Sequence, residues 1–162
     1  MTELTKDLVY ARFLEAADVL RRLPPVKSPK AFGCAMPDFL REEIDDARDP
    51  RQWAWPERLE PASAAQISRA DEVLDWTLKY LMDWPRHRGC APRQALWGVA
   101  ICAMWGRSFS LECRKRGWSR TTAWRRMGHA LQAVQNGLLK DGIVFRMPDV
   151  DYLEQVEQKS AS

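Results

Sequence analysis

The run Cys113-Arg114-Lys115-Arg116-Gly117-Trp118-Ser119-Arg120-Thr121-Thr122-Ala123-Trp124-Arg125-Arg126 gathers the side chains of this sequence best suited to touching a polyanion. Arginine presents a planar fork of donors that fits phosphate and pairs bidentately with the edge of guanine, and a threonine methyl can meet the methyl of thymine. From Arg86 to Arg126 there are ten arginines or lysines against a single acid, Glu112. The formal net charge of the 162 residues is nevertheless only +3, because acids collect elsewhere. Asp38, Glu42, Glu43, Asp45, Asp46 and Asp49 outnumber Arg41 and Arg48 in one stretch, and Asp149, Asp151, Glu154 and Glu157 follow near the end. A run of charge is usually a solvated face, but a basic block inside a nearly balanced chain is also the footprint expected where phosphate is touched.

Spacing sharpens that reading. A helix of about two turns over 109–116 meets Gly117, which supplies the left-handed conformation for a sharp reversal. Trp118 then plugs the corner, and Ser119 caps the next helix by accepting from the amides of Thr121 or Thr122. Cys113 is small enough to let the two helices approach. The following helix is predicted from Arg120 to about Leu139. At about 100° per residue, Ala123, Met127, Ala130, Leu131 and Val134 share its inner face. Thr121, Arg125, Gly128 and Gln132 share the outer one, with Thr122 and His129 beside it. The pattern is that of a helix-turn-helix, with Thr121, Thr122 and Arg125 as base-reading residues. Arg114, Lys115, Arg116, Arg120 and Arg126 are the phosphate contacts that position such a helix. An αα-hairpin with an exposed basic face is the plainer alternative.

Other chemistries find less support. There is no HExxH, P-loop, GxSxG or glycine-rich phosphate cradle, and His87 has arginine neighbours and no acid beside it. Cys34, Cys90, Cys102 and Cys113 show no CxxC spacing, and His87 with Cys90 is a weak zinc pattern, so no metal and no cofactor are expected. A non-enzymatic protein is therefore the expectation. No signal-peptide pattern or membrane-length apolar run is present, so the chain reads as cytoplasmic and nucleoid-associated, with no membrane partner.

The elements that must hold this surface are also legible. Apolar residues make up 46% of the chain and charged residues 29%, an ordinary globular balance. A first helix over 5–23, capped by Thr5, carries Val9, Phe13, Ala16, Leu20 and Leu23 on one stripe and stops at Pro24-Pro25. It can dock on the rest of the chain or pair with a second copy. A proline-rich stretch (24–37), a short acidic helix (about 38–48) and Trp53/Trp55 form a linker region to residue 62. Ser63 and Gln66 spell a capping box for a helix with the stripe Ile67, Ala70, Leu74, Leu78 and Leu81. Pro92 opens another helix, apolar nearly all round from Ala95 to Trp105 and hence central. Eight tryptophans serve chiefly as packing. After 142 the sequence suggests a short extended run at Ile143-Val144-Phe145 and a polar tail that frays. The expected fold is all-α: a helical bundle containing a tri-helical helix-turn-helix at about 92–139, within a 63–142 domain, with an N-terminal helix and a Pro-rich linker.

The 113–126 segment resembles the helix-turn-helix of an uncharacterised family found in prophages and genomes of alphaproteobacteria. The opening, Val9 to Pro25, and Asp71-Glu72-Val73-Leu74-Asp75-Trp76 resemble that family too. More distantly, Gly117-Trp118-Ser119-Arg120 and Ala130-Leu131 are similar to the sigma-factor region that reads the −35 promoter element. Arg126 and Glu112 stand where sigma factors carry apolar core residues. The resemblance implies DNA binding without an agreed activity.

These observations point to sequence-specific binding of double-stranded DNA in transcriptional control, most readily of phage-derived genes. Two rivals remain at this stage. One is a small terminase-type DNA-packaging recognition subunit. The other is a protein-interaction module docking on RNA polymerase through 38–49 and Trp53/Trp55. A homodimer is compatible with the first reading.

Overall fold

The computed structural model describes residues 4–23, 60–82 and 90–160, with side chains to residue 156, and every regular element among them is an α-helix. The acidic segment, the proline-rich stretch, Trp53/Trp55 and His87 fall outside the described residues.

Helix α1 (Lys6–Arg22) starts where the Thr5 hydroxyl accepts from the Leu8 amide at 3.3 Å. Its apolar stripe is buried as expected, but so is every other residue from Val9 to Leu20. Of the two expected uses of this helix, docking on the rest of the chain is the one observed. Arg12 is 0% exposed, Glu15 1% and Asp18 8%, which is tolerable only because each charge has a partner. Arg12 Nη2 donates to the Arg69 carbonyl (2.8 Å) and to Glu72 (2.9 Å). Glu15 receives Arg69 Nε at 2.9 Å, and Asp18 receives Arg22 and the Tyr152 hydroxyl, each at 2.8 Å. Burial lowers the Arg12 pKa from its ordinary value, and the carboxylates of Glu15 and Glu72 oppose that shift.

Helix α2 (Ala64–Leu81) opens on the expected capping box: the Ser63 hydroxyl accepts from the Gln66 amide at 3.2 Å, and Gln66 Oε1 accepts from the Ser63 amide at 3.0 Å. Its buried face is rotated from the expected stripe. Val73, Trp76 and Thr77 point inward and Leu78 is 42% exposed. Polar pairing makes the rotation possible: Thr77 Oγ1 donates to the Val73 carbonyl and accepts from Trp97 Nε1 at 3.1 Å.

Helix α3 (Pro92–Met104) runs through the core, with everything from Ala95 to Cys102 buried and the Trp97 ring edge-on to Phe13 at 5.3 Å. Helices α4 (Phe109–Lys115) and α5 (Arg120–Lys140) follow. Helices α3, α4 and α5 each end on a left-handed glycine, Gly106, Gly117 and Gly142. In each case the next amide reaches back to the third-last helical carbonyl: Arg107 to Cys102, Trp118 to Cys113 and Ile143 to Leu138.

The end of the chain departs from expectation. In place of a polar tail, Val150–Ser160 forms helix α6, seated on α1 by buried Tyr152 and Val156. The non-helical approach to it is also fixed: Phe145 stacks on Trp76 at 5.9 Å, and Asp149 meets both Gln66 and Arg69 at 2.7 Å. Two anchors spaced four apart among acids and glutamines are too sparse a stripe to read as an amphipathic helix. No helix among the described residues is long and apolar enough to cross a membrane.

Candidate nucleic-acid interface

The turn between α4 and α5 is held by backbone hydrogen bonds. Gly117, at φ 67°, donates to the Arg114 carbonyl at 3.2 Å, and Trp118 donates to the Cys113 carbonyl at 2.8 Å. Two of the orphan carbonyls at the end of α4 are thereby satisfied, which holds the entry angle of α5. Trp118 packs half-buried against the core, its ring close to Gly98 of α3. The Ser119 hydroxyl accepts from the Thr122 amide at 3.5 Å, so the cap forms at the second of the two candidate amides. Beneath the turn Cys113 is 2% exposed, as a close helix crossing requires.

The inner face of α5 consists of Ala123, Met127, Ala130, Leu131 and Val134, continued by Leu138, all buried. Its outer face presents Thr121, Arg125 and His129 to solvent, with Thr122 half-buried beside them. Gln132 is engaged along its own helix with Gln135 (3.1 Å) and Asn136 (2.9 Å). Of the expected contact residues, Thr121, Thr122, Arg125, Arg114, Lys115 and Arg120 therefore lie on or beside the turn, and all but Thr122 are exposed. Among the described residues no acid pairs with Arg114, Lys115, Arg120 or Arg125.

Arg116 and Arg126 are employed differently. Arg116 Nε donates to Glu112 Oε1 at 2.6 Å, and its guanidinium lies 4.9 Å from the centre of the Trp118 ring. It neutralises the one acid of the basic block and braces the corner tryptophan. Arg126 Nη1 donates to the Cys90 carbonyl just before α3, tying the flank of α5 to that helix. Glu112 and Arg126 thus both have internal partners.

Sequence reasoning missed two features of this surface. Leu111 on α4 is 60% exposed, and Trp124 on α5 is 41% exposed with its ring edge-to-face on Phe109 at 5.6 Å. The signal was available, since Trp124 lies to one side of the inner stripe of α5 rather than within it.

Neither Cys102 nor Cys113 is an activated thiol. Burial raises the Cys113 thiol above its ordinary value and pushes Cys102 up to about 11, which leaves both protonated at neutral pH. Among the described residues no group of three His, Cys, Asp or Glu side chains could hold a metal ion. No family model, curated protein or solved structure matches this chain.

Proposed function

We propose that the chain binds double-stranded DNA in a sequence-specific manner, with α4, the Gly117 turn and α5 acting as a helix-turn-helix. The first turns of α5 enter the major groove. Thr121, Thr122 and Arg125 face base edges there, while Arg114, Lys115 and Arg120 lie against phosphates. Arg116 and Arg126, assigned to phosphate from sequence, keep the frame in shape. The observation that carries this reading is the set of four cations around Thr121 and Thr122 that have no acidic partner among the described residues, beside a helix, α5, whose opposite face is locked into the core. Charge left unpaired on a rigid surface favours an anionic ligand more than it favours the fold. The resemblance drawn from the sequence extends the reading to transcriptional control of phage-derived genes, without an enzymatic step.

The test is selection from a random duplex pool by the purified protein, at two salt concentrations and with Arg125→Ala in parallel. The expected outcome is an enriched motif that the variant no longer selects. Retention without a motif, falling steeply with salt, would leave backbone attraction alone. No retention at either salt concentration would overturn the reading.

A further inference from the structure

Trp124 is 41% exposed on the second turn of α5, between the exposed cations Arg120, one turn before it, and Arg125. An indole left open among cations on a helix terminus calls for a ligand that is both anionic and apolar in places.

The ring is held from behind. It meets Phe109 of α4 edge-to-face, with centroids 5.6 Å apart and planes at 77°. Phe109 in turn lies over Gly98 of α3, where an added Cβ would stand 3.6 Å from its ring. The indole is thus backed through α4 against the core before any ligand arrives. An aromatic ring set in advance loses little freedom on binding.

The open side of the ring is bordered by small groups. Thr121, one turn back, and Gly128, one turn on, are its neighbours on the side toward Arg125. Thr121 is exposed, and a Cβ added at Gly128 would meet nothing within 4 Å. Indole, threonine methyl and bare helix backbone therefore make one apolar step at the edge of the outer face of α5. Phosphate answers the surrounding cations and has nothing for such a step. The major groove of a duplex does: among the polar base edges it carries the C5 methyl of thymine. 5-Methylcytosine bears the same methyl at the same ring position.

We infer that Trp124 is a specificity-determining residue, holding the C5 methyl of a pyrimidine, thymine or 5-methylcytosine, against its ring beside Thr121 and Gly128. The inference rests on the function proposed above. To the polar contacts of Thr121, Thr122 and Arg125 it adds one that depends on a methyl group and on no hydrogen bond.

The test uses the full chain and the duplex that it selects. Each thymine is replaced by deoxyuridine, and each cytosine by 5-methylcytosine, one position at a time. The wild-type protein should lose about fourfold in affinity at one thymine or gain about fourfold at one cytosine, the worth of one buried methyl. A loss identifies thymine as the source of the methyl, and a gain identifies 5-methylcytosine. Trp124→Ala should show neither change. No change at any position, or the same change in the variant, overturns the inference. Because Trp124→Ala also removes packing on Phe109, a second measurement uses the wild-type protein alone. The 5-iodo analogue of the responsive base, with iodine in place of the methyl, is irradiated in the complex and the product is mapped by mass spectrometry. A cross-link to Trp124 supports the contact, and cross-links only to other residues overturn it. Retention of no duplex at all overturns the proposed function and this inference with it, whereas retention of a motif without a methyl effect overturns this inference alone.

Discussion

Arg125 and Lys115 are both exposed cations without acidic partners among the described residues, yet the loss of each should be felt differently. Arg125→Ala is expected to cost about 1–3 kcal/mol of duplex affinity and to relax preference at one base position, while Lys115→Ala should weaken all duplexes alike and reduce the salt slope by about one. Fluorescence anisotropy over a salt series reads both quantities; identical behaviour of the two variants would remove the base-reading role from Arg125. Arg126→Ala belongs to a different class, because its guanidinium is spent on the Cys90 carbonyl. It should lower folding stability by about 1.5–3 kcal/mol, the range for a charge-assisted hydrogen bond, as measured by urea unfolding. The most exacting residue is Arg12. Arg12→Ala would leave Glu15 and Glu72 short of a counter-charge and should destabilise by about 3–5 kcal/mol.

Helix α5 supplies a sharp comparison, because two of its glycines sit in opposite surroundings. A Cβ at Gly128 would meet nothing within 4 Å, whereas one at Gly137 would fall 2.5 Å from the Tyr80 ring, whose hydroxyl bonds to Asp141 at 2.7 Å. Gly128→Ala should therefore stabilise by up to about 1 kcal/mol through helix propensity. Gly137→Ala should destabilise by about 1–3 kcal/mol, since the ring has to move. Thermal melts of the two variants shifting in the same direction would contradict this reading of the α2–α5 contact. Most of the helices were legible from the sequence. The Thr5, Ser63 and Ser119 caps, the Gly117 reversal and the inner stripe of α5 are local rules written in a few neighbouring residues, and they hold. The missed features depend on partners distant in sequence. The rotation of α2 needs Trp97, the complete burial of α1 needs Arg69 and Glu72, and the docking of α6 needs Asp18. The candidate surface was legible in its exposed members for the same local reason. The internal roles of Arg116 and Arg126 were not, because a composition count cannot tell a free guanidinium from an employed one.

At the scale of the whole molecule, buried protons tie stability to alkaline pH. Burial raises the phenols of Tyr10 and Tyr152 and the thiol of Cys102, so the folded chain keeps protons that the unfolded chain would release. The associated stability is intact below the ordinary thiol and phenol values of 9.0 and 10.0 and is lost as pH climbs past them. The urea midpoint should hold level from neutrality to about pH 9 and then fall, with a shallower fall in Tyr152→Phe. A flat profile to pH 11 would show that these groups titrate alike in both states. The burial of α1 also bears on how the chain reaches this state. Asp18 waits for the hydroxyl of Tyr152, 134 residues downstream, and Arg12 waits for Glu72, 60 residues downstream. During synthesis α1 therefore emerges before any of the described helices that cover it, and its burial is complete only once α6 has followed. Until α2 and α3 have followed, its stripe of valine, phenylalanine and leucine is open to chaperones, proteases and other nascent chains.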